Sequence, residues 1–350
     1  MFDIKNIVRT NILVMKPYSS ARDEFKGEAS IFVDANENNL GSLADNPGYN
    51  RYPDPYQRKL KARIADIKDV QPDQIFLGNG SDEAIDLLIR LVCKPGVDEI
   101  LAFSPTYGMY DVSANLNNVF LRQVALDEHF QLQTSRLQGQ INSNTKIIFL
   151  CSPNNPSGNL MDRQSTEYIL QNFDGLVVID EAYIDFADKP SWTTRLAEFP
   201  NLVVLQTFSK AWGMAALRLG MAFASVEIIQ FLNKIKPPYN INEATQQIAL
   251  DALGNAASLP AMIEEIKKGR QYLQQALAEL PVVTRVFPSD ANFLLVEVTD
   301  ANQVYDYLLT KGIVVRNRTT QPGCFNCLRI SVGTHKENQA LVEALAAYPV

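Results

Sequence analysis

Three apolar runs of this 350-residue chain end on side chains that can do chemistry. Lys146 to Cys151 leads into Ser152-Pro153-Asn154-Asn155-Pro156-Ser157-Gly158, Leu176 to Ile179 into Asp180-Glu181-Ala182-Tyr183, and Leu202 to Gln206 into Thr207-Phe208-Ser209-Lys210. Ala211-Trp212-Gly213 and Arg218 follow the last of these. In an open parallel sheet ligands bind at the carboxyl ends of the strands, so an amide (Asn155), a carboxylate (Asp180), a phenol (Tyr183) and an amine (Lys210) are delivered to one edge.

That set matches what pyridoxal phosphate requires: a lysine to hold it, an acid to keep its ring nitrogen protonated, and donors for its phenolic oxygen and phosphate. A carboxylate after four apolar residues is costly unless it meets a cation or donors, and a pyridinium is such a cation. Each residue also has a plainer reading, Asp180 as a helix cap and Lys210 as a solvated lysine. Their combination favours the chemical one. Upstream, Gly78-Asn79-Gly80-Ser81-Asp82-Glu83 joins a short strand to the helical run Ala84 to Val92. Backbone amides at such a helix start suit a phosphate, and a Gly-rich turn ending in a cap looks identical.

The elements that must position these residues follow an α/β pattern. Candidate strands are Ile75 to Leu77, Glu99 to Phe103, Lys146 to Cys151, Leu176 to Ile179 and Leu202 to Thr207, several of them apolar throughout. This is expected of a mostly parallel sheet covered by helices on both faces. Lys236-Pro237-Pro238-Tyr239 interrupts the pattern, because consecutive prolines do not continue a helix. Beyond it, helices over Glu243 to Leu253 and Leu259 to Leu280 and strands at Phe293 to Val298, Ile313 to Arg316 and Leu328 to Val332 describe a smaller α+β domain. The expected division is an arm over residues 1–32, packing on either domain or a neighbouring subunit, a large domain over 33–238 and a small one over 239–350.

Net charge is −7, and Lys and Arg are scattered, so no basic stripe fits a nucleic acid or an anionic membrane. Small-molecule substrates fit better. No apolar run approaches the roughly 18 residues of a membrane-crossing helix, and the first residues do not read as a signal peptide, so a cytoplasmic location is expected. Cys93, Cys151, Cys324 and Cys327 form no disulfide framework. The Cys324-x-x-Cys327 pair lacks the second pair of soft ligands that a zinc site needs, so no metal is expected.

Thr207-Phe208-Ser209-Lys210-Ala211-Trp212-Gly213-Met214-Ala215-Ala216-Leu217-Arg218 resembles the lysine segment of class I and II aminotransferases, of the aspartate-aminotransferase fold type (fold type I). The Ser-Pro-Asn-Asn-Pro-Ser-Gly and Asp-Glu-Ala-Tyr segments are similar to the same family, in the same order. Within it, the histidinol-phosphate aminotransferases are the nearest likeness, through Asp34 to Asn38, Arg51-Tyr52-Pro53-Asp54-Pro55, Pro105-Thr106-Tyr107-Gly108-Met109-Tyr110 and Cys327 to Gly333. Asn39-Leu40 departs from the family's frequent Pro and Phe.

The resemblance implies pyridoxal 5′-phosphate as cofactor and a homodimer with shared active sites. Lys210 would be the Schiff-base lysine and proton shuttle, Asp180 the partner of the ring nitrogen, and Asn155 and Tyr183 donors to the phenolic oxygen. Tyr107 would stack on the ring. Gly80, Ser81, Asp82, Ser209 and Arg218 would surround the phosphate, with Tyr52 arriving from the partner subunit. Arg329, helped by Tyr18 and Arg316, would take the carboxylate of glutamate and then the phosphate of histidinol phosphate; 2-oxoglutarate and imidazole-acetol phosphate would be the keto partners. Rival readings are an aromatic-amino-acid aminotransferase, a threonine-phosphate decarboxylase and an aminotransferase-like regulatory domain. A nicotinamide dehydrogenase would need a G-x-G-x-x-G turn that the chain does not carry after a strand.

Overall fold

The computed structural model describes residues 2–18, 29–44 and 48–349. Seven strands form the larger sheet: β1 (Ile75–Asn79), β2 (Glu99–Ser104), β3 (Phe120–Ala125), β4 (Thr145–Cys151), β5 (Leu176–Asp180), β6 (Leu202–Thr207) and β7 (Leu219–Ala224). Their order is β1-β7-β6-β5-β4-β2-β3, with β3, β2, β4, β5 and β6 running parallel and β7 antiparallel to both of its neighbours.

Because side chains alternate across a strand, the apolar runs feed two cores at once. Ile148, Leu150, Val177, Ile179 and Val204 point into one layer, and Ile147, Phe149, Val178, Val203 and Leu205 into the other. The second layer is capped by the amphipathic helix Ser81–Val92, whose Ile85, Leu88 and Ile89 are fully buried. Ile4, Val8 and Ile12 pack there too, and the Arg9 N–H donates to the Leu91 carbonyl. The described start of the arm thus lies on the large sheet's helical layer, not on the small sheet.

Four further strands, β8 (Val283–Val286), β9 (Phe293–Val298), β10 (Arg316–Asn317) and β11 (Cys327–Ser331), form an antiparallel sheet in the order β10-β11-β9-β8. Leu294, Val296, Leu328 and Ile330 on one face bury against Leu273, Val304 and Leu341 of the covering helices. The strand expected over Ile313 to Arg316 begins only at Arg316, where the pairing with β11 starts. The helix Glu243–Gly254 belongs with the large sheet, its Ala249 and Leu253 lying in the first core.

Candidate active site

The carboxyl ends of β4, β5 and β6 open on one cleft, bounded by the start of helix Ser81–Val92. Gly80, Ser81, Asp82, Tyr107, Asn155, Asp180, Tyr183, Ser209, Lys210 and Arg218 all line it, together with Cys151, Ala182 and Thr207. Residues up to 138 positions apart meet because parallel strands deliver every carboxyl end to the same edge.

At the floor is Asp180, the last residue of β5 and only 2% exposed. Its Oδ2 accepts from the Tyr110 hydroxyl at 2.9 Å and its Oδ1 from the Ala182 N–H at 3.2 Å. Burial pushes its pKa up to about 6, against the pull of those two donors and of the Lys210 charge. Lys210, more than half buried, lies with Nζ 5.4 Å from the centre of the Tyr183 ring. Burial first, and the Arg329 charge second, lower its pKa and favour the neutral amine, while Asp180 opposes them. Tyr183 is buried against the edge of Phe293, ring centres 5.1 Å apart, and burial raises its pKa.

Across the cleft, the turn before helix Ser81–Val92 is built for close backbone approach. Gly80 takes φ +73° and caps the helix without a side-chain bond, leaving first-turn N–H groups free of a capping side chain. Its N–H donates to the Arg218 carbonyl at 2.6 Å, and Arg218 itself sits in the left-handed region at φ +52°. A Cβ on Gly220 would lie 2.1 Å from the Ser81 nitrogen, so β7 needs glycine there for the turn to approach. Arg218 Nη2 reaches Asp82 Oδ2 at 3.3 Å, and the Tyr107 hydroxyl donates to Asp82 Oδ1 at 3.0 Å. The Ser209 Oγ accepts from Thr207 at 3.0 Å, which leaves its own hydrogen to give.

These residues fit pyridoxal phosphate. A buried carboxylate whose two donors leave it without a cation in contact, a desolvated amine and an uncapped helix start beside a guanidinium are the three complements that its ring nitrogen, carbonyl carbon and phosphate demand.

Arg329 approaches from the small sheet. Its Nη1 donates to Asn155 Oδ1 at 2.6 Å, its guanidinium lies 5.2 Å from the Phe293 ring centre, and its Nε is buried without a partner. Arg316 is its direct cross-strand neighbour. Two expected residues are not brought in by this chain: Tyr18 is 71% exposed, and Tyr52 stacks on Tyr239 at 4.5 Å without lining the cleft.

The sequence reading overlooked Tyr110. It stood in the quoted Pro105-to-Tyr110 segment, three residues after Tyr107. The two rings meet edge to face at 5.7 Å. Also unassigned was Glu181, 1% exposed, which turns away from the cleft to accept from the Ser191 hydroxyl, the Trp192 N–H at 2.8 Å and Gln206 Nε2 at 3.0 Å. Cys324 and Cys327 are buried free thiols, their pKa values raised by burial to about 11 and about 12.

Known proteins are similar to this chain in sequence and fold. A histidinol-phosphate aminotransferase of Parabacteroides distasonis is 56% identical over 99% of both chains, and one of Cytophaga hutchinsonii is 53% identical over 99% of both. The crystal structure of the histidinol-phosphate aminotransferase from Clostridium acetobutylicum superposes with a TM-score of 0.78 at 26% identity, covering 85% of this chain and 90% of that one. A more distant likeness in fold, at 24% identity and TM-score 0.77, is the Sinorhizobium meliloti histidinol-phosphate aminotransferase solved in complex with pyridoxal 5′-phosphate, covering 85% of this chain and 82% of that one. The model of aminotransferase class I and II matches residues 24–345, and with relatives more than half identical over nearly their whole length, the chain belongs to that family.

Proposed function

We propose that this protein moves an amino group reversibly between glutamate and imidazole-acetol phosphate, giving 2-oxoglutarate and histidinol phosphate, a step of histidine biosynthesis. The meeting of Lys210 and Asp180 in one buried cleft carries the reaction type. The relatives at 53–56% identity support the substrate pair.

When bound, pyridoxal phosphate supplies a carbonyl that takes the amine covalently and a protonated ring that withdraws electrons from the neighbouring carbon. Lys210 would hold the cofactor, and its Nζ, once free, would move the proton at the donor Cα. Burial favours the neutral form that this requires. Asp180 would keep the proton on the ring nitrogen, its two oxygens fixed by Tyr110 and Ala182. Asn155, its carbonyl engaged by Arg329, would offer its amide nitrogen to the ring oxygen, with Tyr183 as a second donor. Tyr107 would cover the ring, while Gly80, Ser81, Asp82, Ser209 and Arg218 would enclose the phosphate. Arg329 takes the substrate anion and Arg316 and Tyr18 assist, since a guanidinium fork suits carboxylate and phosphate alike.

Tyr52 completes the cradle of a second copy in a homodimer. Its exposure supports this, with that of Val14, Ile31, Val33, Leu40 and Leu43 in the same part of the chain. The reading keeps the arm over 1–32 and a cytoplasmic location; among the described residues no helix is long and apolar enough to cross a membrane. The packing of helix Glu243–Gly254 on the first core supports drawing the large domain's limit after Gly254 instead of at 238.

The test is a panel of amino donors to 2-oxoglutarate, run with the wild type and Lys210→Ala. Histidinol phosphate should be the preferred donor, and the variant should lose both turnover and the visible absorbance of bound cofactor. Greater efficiency with phenylalanine or tyrosine would replace the substrate assignment with an aromatic donor, and release of CO₂ would replace transfer with decarboxylation.

A further inference from the structure

Three guanidinium groups share one face of the small sheet. Arg316 and Arg329 are directly opposed in the β10–β11 ladder. Arg318 continues that ladder, its N–H donating to the Cys327 carbonyl at 2.8 Å, and the two-residue period returns it to the face of Arg316. The opposite face, with Leu328 and Ile330, is the small domain's core, so the arginine face looks toward the large sheet, where Arg329 meets Asn155.

Like charges opposed across a ladder destabilise it unless an anion lies between them. None of the ion pairs among the described residues involves Arg316, Arg318 or Arg329. Nε of Arg318 and of Arg329 are both buried without a hydrogen-bond partner. The groups whose charges bear on Arg318 are Arg329, Arg316, Cys324 and Tyr183, none of them a carboxylate. Its influence on Tyr183 ties it to the cleft.

We propose that Arg318 is a specificity-determining residue: with Arg316 and Arg329 it forms a three-guanidinium face for the phosphate of a phosphorylated amino donor. Its contacts go unused by the carboxylate of glutamate. A phosphate dianion carries more charge and more acceptor oxygens than a carboxylate, so it engages donors that a single Arg–carboxylate fork leaves idle.

This rests on the assignment of histidinol phosphate as donor, and the test separates the two. Holoenzyme is mixed with histidinol phosphate, histidinol or glutamate alone, and the loss of the cofactor's visible absorbance is followed for wild type, Arg318→Gln and Arg318→Lys. Arg318→Gln should lower the efficiency with histidinol phosphate roughly tenfold to a hundredfold, clearly more than with glutamate. Arg318→Lys, which keeps the charge but not the fork, should fall between. Equal losses with the two donors would make Arg318 a structural residue and overturn the proposal, as would a variant whose ratio between donors matches the wild type. A wild type that handles histidinol as well as histidinol phosphate would instead remove the donor assignment, and this inference with it.

Discussion

Tyr110 donates its phenolic hydrogen to Oδ2 of Asp180 at 2.9 Å while sealed from solvent between Phe149, stacked at 4.6 Å, and the edge of Tyr107. The phenol therefore has a fixed position, and so does the carboxylate. A donor to an ionised acid stabilises the charged form, whereas burial disfavours it, and burial prevails to the extent of a pKa of about 6. On the proposed reading, Tyr110 is a positioning residue for the group that would meet the ring nitrogen.

Tyr110→Phe should keep both ring contacts and remove the donor. Asp180 would then protonate at higher pH, so the acid limb of the pH profile of kcat should move upward. Cofactor affinity should fall, and turnover should drop on the order of tenfold. Cofactor titration and the pH profile check this; a variant that merely melts earlier, with its acid limb in place, would assign the phenol to packing alone.

Asp180→Asn should slow turnover greatly while stabilising the cofactor-free protein. A carboxyl whose folded pKa is raised from 3.8 to about 6 takes up protons on folding, so its ionisation costs stability as pH rises through that window. The amide has no such cost. At about pH 8 the apo variant should be the more stable by on the order of 1–3 kcal/mol, the gap closing toward pH 4. Thermal melting of both apo proteins across this range is the measurement, and a variant less stable at every pH would contradict it.

Glu181→Gln should show the same sign at higher pH. Burial raises the Glu181 pKa from 4.5 to about 7, against the hydrogen bonds from Ser191, Trp192 and Gln206. The neutral amide can keep an acceptor toward the Trp192 N–H and offer its own N–H to the unpartnered Gln206 Oε1. The variant should gain stability over the wild type progressively from about pH 5 through 7 and above, read in melts at matched cofactor loading. A gap independent of pH would show that Glu181 does not change charge there.

The strands that carry the site were legible because β4, β5 and β6 are almost unbroken apolar runs, each followed at once by polar residues. β7 escaped: Gly220, Ala222 and Ala224 give it little strand character, and their smallness serves the close approach of the Ser81 turn. β3, an edge strand with polar Arg122 and Gln123, escaped for the opposite reason. The ten residues from Gly80 to Arg218 expected around the cofactor share one cleft, since each sits in a local motif. Tyr110 and Arg318 depend on something no motif displays: the first on the turn that opens helix Met109–Leu116 with Tyr110 in reach of Asp180, the second on the register that sets Arg316 opposite Arg329.

Arg329→Lys should impair both half-reactions. The guanidinium is held in place by Asn155 on one side and the Phe293 ring on the other, with its Nε unpartnered and the remaining N–H groups left for a substrate anion. Lysine keeps the positive charge but presents a single point of donation, so it loses the fork that suits a carboxylate or a phosphate, and it also releases the Asn155 carbonyl. If both donors use this site in turn, as proposed, the efficiencies with glutamate and with histidinol phosphate should each fall by roughly a hundredfold. Arg316→Ala should affect the two unequally, because Arg316 is the more exposed and lies one strand farther out, where the substrates differ. Steady-state kinetics with both donors, alongside the visible absorbance that reports a loaded cofactor, decide the matter. An Arg329→Lys variant with full cofactor and near-normal efficiency toward either donor would place that substrate's anion elsewhere.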